Sequence, residues 1–259
     1  MKIAYDGSSF HGHARQPGLR TVEGEVLRAL VGARLVRDAR TSRFQSASRT
    51  DRGVSALGNV VAFDAPLAPE ASARAFNAKA DGVWGWAAAS VPSDFDARRV
   101  RERWYRYYVP PHHDPKGLRP ILRRFVGEHD FRNFTRERSR TILRIDAATA
   151  RREGRAVILD VRAPSFRWNL VRRIVAATLR VACGDVPAED LQRALRADTR
   201  VDFGLAPPEP LVLMDVRYDV PLFPVRDPTT RLRIQRALQA QDRAIGLLRG
   251  IRDRFAMNP

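Results

Sequence analysis

The chain has 259 residues, 44% hydrophobic and 29% charged, and its 46 basic side chains against 29 acidic ones give a formal charge of +17. That balance excludes a disordered or collagen-like chain and fits one large domain or two small ones sharing a core. No apolar run approaches the roughly 18 residues that span a bilayer, and the N-terminus passes from Lys2 into strand-like alternation without a signal-peptide core, so a cytoplasmic protein without membrane contact is expected.

Taken in chain order, Ile3 to Tyr5 alternate as a strand. Thr21 then caps a helix with Val22, Val26 and Leu30 on one face and Glu23 and Glu25 in its first turn. Alternation returns around Phe44 and from Val60 to Phe63, Pro69 can open a second helix, and Val83 to Val91 is a further apolar run. The second half starts with a strand at Trp104 to Val109 and a helical stretch near Leu118 to Phe125. Ile142 to Thr149 and Val157 to Ala163 read as a hairpin turning at Glu153-Gly154, followed by helices and a last strand at Val212 to Tyr218. Both halves thus follow β-α-β-β-α-β. Two tandem split β-α-β, ferredoxin-like units imply an α+β fold with a continuous, mainly antiparallel sheet, helices on one face and the open face lining a central cleft. The expected division is 1–100, 101–226 and a helical tail at 227–259. In that tail Ile234, Leu238, Ile245, Leu248 and Phe255 fall at helical spacing, as in a packed helix.

The surplus charge is almost all arginine: Lys occurs only at 2, 79 and 116, against 43 Arg. A planar guanidinium pairs phosphate oxygens and stacks on bases, so a nucleic-acid partner is expected. The single Cys183 permits no internal disulfide. The five histidines lack partners at zinc-ligand spacing, and Gly7 and Gly12 do not form a phosphate-binding loop, so neither a metal nor a nucleotide cofactor is expected.

The strongest local motif is Ser48-Arg49-Thr50-Asp51-Arg52-Gly53-Val54, between two strand-like runs. It puts Asp51 on a short loop, with Gly53 free to take positive φ and bring backbone close to a ligand. Asp51 is then a candidate nucleophile; an ordinary turn with Asp51 capping backbone amides is the alternative. In the helix beginning near Asn169, Leu170, Val171, Ile174, Val175 and Thr178 share a broad apolar face. Arg172 lies at its edge, where it can pair a partly buried carboxylate or, as the alternative, snorkel to solvent, whereas Arg173 and Arg180 lie opposite, free for phosphate or water. In Trp104 to Val109, Tyr105 and Tyr107 share a face, and alternation does not choose which of them meets a base. In Val212 to Tyr218, the set Val212, Met214, Val216 and Tyr218 leaves Leu213 on the other face with Asp215 and Arg217.

In order and spacing, six stretches resemble the TruA family of tRNA pseudouridine synthases in an archaeal-like form: Tyr5-Asp6-Gly7-Ser8 with Thr21-Val22-Glu23-Gly24; Arg49 to Val54; Phe95-Asp96-Ala97-Arg98; Tyr105-Arg106-Tyr107; Gly127 to Phe131; and Ser165-Phe166 with Val171-Arg172. The resemblance implies the pseudouridine synthase fold and a cofactor-independent isomerisation of uridine in the anticodon arm of tRNA, at positions 38 to 40, by a homodimer. It implies that Asp51 is the catalytic aspartate, Arg49 helps displace the target base, Tyr105 stacks on the uracil, Arg172 pairs the aspartate and Leu213 contacts the base. Ser48 stands where the family has Gly, His13 where it has a larger aromatic, and Pro210 where it has Gly. A base within a stem has to be extruded before it can react, which gives an arginine beside the nucleophile its use. The competing readings are a non-catalytic structured-RNA-binding protein and a nuclease; the second would need a carboxylate cluster or acid–base pair that the sequence does not offer.

Overall fold

The computed structural model describes residues 1–255, with backbone alone at 240, 243, 244 and 246–255. After strand β1 (Lys2–Tyr5), Thr21 opens α1 (Val22–Gly32), its Oγ1 accepting the Gly24 amide at 3.3 Å, with Glu23 and Glu25 in the first turn. The short β2 (Gln45–Ser46) and β3 (Ser55–Ala62) follow. Pro69 begins α2 (Pro69–Lys79), where its missing N–H leaves no helical bond unmade, and β4 (Val83–Ala88) completes the expected β-α-β-β-α-β order.

The second half contains β5 (Glu102–Val109), α3 (Pro115–Arg123), β6 (Gly127–Asp130), β7 (Ile142–Ile145), β8 (Ala147–Glu153), β9 (Ala156–Ala163), α4 (Leu170–Ala182), α5 (Ala188–Leu195) and β10 (Leu211–Arg217). The strand expected from Ile142 to Thr149 is two strands. Its first part, β7, pairs with β6 as a separate ribbon, and its second, β8, forms the hairpin with β9, turning at Gly154 with φ +58. The chain breaks at Asp146, whose N–H donates to the Arg162 carbonyl at 2.9 Å, so apolar alternation runs unbroken through two different pairings.

With the two-residue β11 (Phe223–Pro224), the main sheet runs β11-β4-β1-β3-β10-β5-β9-β8. Every neighbouring pair is antiparallel except β3 and β10, which are parallel through Val212↔Ser55 and Leu213↔Ala56 and join the two halves. Helices α1 and α2 pack toward β4 at one end, while α3 packs on β8 and α4 on α3 at the other. The middle strands lie between these two groups, so the cleft is a gap on the helix-bearing face, bordered by Tyr105, Leu211 and residues of α4. This corrects the expectation that ligand lies on the opposite, helix-free face. There Arg106 and Arg151 pair with Asp160 and Arg162 and Arg217 with Glu102, a surface whose cations already have carboxylate partners.

A bulge corrects the face assignment of the last strand. Leu213 stands opposite Tyr105 and Asp215 opposite Trp104, so Met214 is the extra residue. Leu211, Leu213 and Val216 are consequently buried together, and Asp215 turns away to pair with Lys2. The tail forms the expected helix, α6 (Pro228–Phe255), and its start is docked. Thr230 is buried and Arg233 Nη2 donates to the Asn77 carbonyl at 2.8 Å, whereas Leu238 and Ile245 are 55% and 41% exposed. The expected packing is thus not met at those two positions; Leu248 and Phe255 lie outside the described side chains. No helix among the described residues is long and apolar enough to cross a membrane.

Candidate active site

The loop between β2 and β3 is tied down on both flanks of Asp51. On one side Tyr5 Oη and Thr50 Oγ1 are 2.9 Å apart and the His13 N–H donates to the Thr50 carbonyl at 3.0 Å. On that same side, Asn59 Nδ2 donates to the Ser48 carbonyl at 2.9 Å and Arg103 Nε to Ser48 Oγ at 3.0 Å. The Val54 N–H closes the turn on the Asp51 carbonyl at 3.1 Å, and Gly53 has the positive φ expected of it, +85. Ser48 keeps a negative φ, and its hydroxyl supplies an anchor that glycine could not. Gly7 allows the loop to seat, since a Cβ there would stand 2.2 Å from the Val54 carbonyl oxygen.

The carboxylate of Asp51 meets two donors from the other half of the chain. Arg172 Nη1 donates to Oδ2 at 3.1 Å, and the Trp168 indole N–H donates to Oδ1 at 3.1 Å. Arg172 is itself oriented, because its Nε donates to the Ala206 carbonyl at 2.7 Å. Its side chain is 13% exposed and that of Asp51 28%, so the pair is partly sheltered where it lines a cavity of about 1070 Å³. The helix-edge position read from periodicity therefore delivers Arg172 to Asp51. Arg173, expected to be free, instead pairs with Asp202 at 2.8 Å; the 200–206 segment folds back across the helix and brings that carboxylate within reach.

Tyr105 borders the cavity and packs edge-on against Phe166, with ring centroids 5.0 Å apart, whereas Tyr107 is buried and does not border it. Burial pushes the Tyr105 phenol up to about 12, so it is a neutral hydroxyl at physiological pH. Leu213 is fully buried in the strand beside Tyr105 and does not border the cavity; Leu211, two residues earlier, does. Arg49 is exposed on the cavity wall with Arg52 and Arg98, and among the described residues none of these three guanidinium groups makes an ion pair. Arginines of the sheet's far face are paired with Asp160 and Glu102 while Arg49, Arg52 and Arg98 of the cleft have no such carboxylate among the described residues, which favours a polyanion on Asp51's side.

Three further residues were given no role at the site by sequence reasoning. Trp168 lies in the connection before α4, where no periodicity reports direction. Arg103 sits on a strand but reaches across the cleft floor, donating to the Ala47 carbonyl at 2.8 Å and to the Pro164 carbonyl, and so links the Asp51 loop to the segment before α4. His13 lies beneath the loop with Nε2 3.0 Å from Ser46 Oγ; burial, reinforced by Arg49, pulls it down to about 4, so it is neutral above that pH. Among the described residues no group of three or more His, Cys, Asp or Glu is placed to hold a metal ion.

Comparison with known proteins matches residues 121–219 to the family described as tRNA pseudouridine synthase. Over 226 residues the chain is 39% identical to tRNA pseudouridine synthase A of Thermococcus sibiricus, covering 85% of this chain and 84% of that protein. It is 40% identical to the protein of the same name from Pyrococcus abyssi, covering 88% and 87% of the two chains. The protein of that name from Methanothrix thermoacetophila is 38% identical across 97% of this chain and 94% of its own. With such identity over nearly the whole length, and with a carboxylate and an arginine from opposite halves meeting in the cleft, the chain belongs to the tRNA pseudouridine synthase A family.

Proposed function

We propose that this protein isomerises uridine to pseudouridine in the anticodon arm of tRNA, at positions 38 to 40, with Asp51 as the catalytic carboxylate. The observation that carries the reading is the Asp51–Arg172 pair lining a cavity that Tyr105 also lines. The reaction breaks the C1′–N1 bond, turns the detached uracil, forms C1′–C5 and releases the C5 proton while N1 gains one; nothing is oxidised or reduced and no cofactor is consumed. Arg172 holds the Asp51 carboxylate oriented toward the ribose, either to add covalently at C1′ or to take a ribose proton. The neutral Tyr105 phenol supplies a ring for stacking and a hydroxyl that can donate to the base.

Arg49 enters the space vacated by the extruded base, and the unpaired cations Arg52 and Arg98 hold the RNA backbone. Leu213 acts from below the floor, backing Tyr105. The segments 1–100 and 101–226 work as two walls of one cleft, the protein acts in the cytoplasm, and two copies form a homodimer that grips one tRNA. The test is release of tritium from tRNA carrying 5-tritiated uridine, without added cofactor, followed by mapping of pseudouridines in host tRNA with and without the protein. Release with new pseudouridine at positions 38 to 40 is expected. Tight tRNA binding with no release from any tRNA would instead identify a non-catalytic RNA-binding protein.

A further inference from the structure

Trp168 is 52% exposed, an unusual placement for a large indole, and its position is nevertheless heavily specified. Its backbone N–H donates to Glu137 Oε1 at 3.0 Å, and its carbonyl accepts from Thr135 Oγ1 at 3.1 Å. The Arg136 guanidinium lies over its ring, 5.5 Å from the centroid. The next residue, Asn169, takes the left-handed conformation, φ +65, and starts α4. Asparagine tolerates that conformation better than most residues, so the turn can be sharp without large strain. All of these constraints aim the indole N–H at Asp51 Oδ1, 3.1 Å away, while Arg172, one helical turn further along, reaches Oδ2.

We infer that Trp168 is a positioning residue for the isomerisation: with Arg172 it forms a two-pronged clamp that fixes the plane of the Asp51 carboxylate and leaves one lone pair on each oxygen for the substrate. A carboxylate has about four acceptor sites, and these two donors occupy one on each oxygen. Held by Arg172 alone, the group would be free to rotate about Cβ–Cγ and spend part of its time with neither oxygen directed at the ribose. Reaction rates depend steeply on such alignment. The two prongs belong to one short segment, so their spacing is set by the helix start and does not depend on docking of separate elements. Arg136 on the ring face adds a favourable cation–π contact that keeps the indole from swinging out.

The inference rests on Asp51 being the catalytic group, and the experiment separates the two claims. Trp168→Phe keeps a ring against Arg136 and loses the donor. Site-specific replacement of Trp168 by benzothienylalanine, with sulfur in place of the N–H, keeps the indole shape as well. Single-turnover tritium release at saturating tRNA is measured for both, beside tRNA affinity and an Asp51→Asn control. The expected result is a rate constant lowered about tenfold in both variants, the scale of a lost hydrogen bond to a charged group, with tRNA affinity within about twofold of wild type. A wild-type rate in the benzothienylalanine protein, or a loss confined to tRNA affinity, would overturn the clamp and leave Trp168 as a wall of the cleft. An active Asp51→Asn protein would overturn the catalytic assignment itself, whatever Trp168 does.

Discussion

Two adjacent arginines with different work are the sharpest case at the level of the single residue. Arg172 Nη1 reaches Asp51 and its Nε is held by the Ala206 carbonyl, while Arg173 pairs with Asp202, a largely exposed carboxylate. Arg172→Met leaves the partly sheltered Asp51 carboxylate, proposed here as the reacting group, without its charged partner and is expected to lower the rate of tritium release about 100-fold. Arg173→Met removes a pair of modest value, about 1 kcal/mol or less, and loosens the 200–206 segment; it is expected to lower the melting temperature slightly and keep the rate within a few-fold. Measured side by side, a larger rate loss for Arg173→Met would contradict the division of labour. Helical periodicity made the helix-edge position of Arg172 legible, while its choice of a carboxylate over solvent needed the family resemblance or the structure. It could not show Asp202, because that contact depends on how a distant irregular segment folds back. The choice of Tyr105 over Tyr107 needed either the family resemblance or the structure: both lie on one face, and only the position of the cleft along the strand separates them.

For elements, the decisive feature is how closely two irregular segments approach. The 3₁₀ turn at Gly7–Ser9 sits under the Asp51 loop, with the Gly7 N–H donating to Ser55 Oγ at 3.0 Å. A methyl group at Gly7 would collide with the Val54 backbone at 2.2 Å, and backbone on both sides cannot yield as a flexible side chain would. Gly7→Ala is expected to cost ~1–3 kcal/mol and to slow tritium release by displacing the Asp51 loop; thermal denaturation and single-turnover assays check both, and unchanged values would show the loop to be seated otherwise. The helix starts at Thr21 and Pro69 were readable because caps and N1 prolines act within one turn of chain. The bulge at Met214, the break at Asp146 and the exposure of Leu238 and Ile245 on α6 were not. A bulge depends on the partner strand's register, and apolar spacing reports that a helix has an apolar face without saying that anything covers it.

For the molecule as a whole, the excess of +17 is unevenly used. Far-face arginines are matched to Asp160 and Glu102, whereas Arg49, Arg52 and Arg98 stand unpaired around the cavity among the described residues. Binding of tRNA should accordingly weaken with salt. Arg52→Gln or Arg98→Gln should each reduce the slope of log affinity against log salt by about 0.7–0.9, the contribution of one phosphate contact. Slopes unchanged in both variants would move the RNA path away from this wall. The tandem architecture was legible because each half repeats one order of elements. The face carrying the cleft was not, since it follows from where the two helical groups gather along a shared sheet, and the parallel β3–β10 seam that sets their separation joins strands far apart in sequence.

The proposed function stands or falls on the Asp51 carboxylate, held by Arg172, performing the isomerisation. Replacing Asp51 with Asn preserves size and loses the negative charge, so the direct measurement is tritium release from 5-tritiated uridine in tRNA by Asp51→Asn, beside its tRNA affinity. No detectable release, with near wild-type binding, follows from the proposed role of Asp51. Release at the wild-type rate would contradict it.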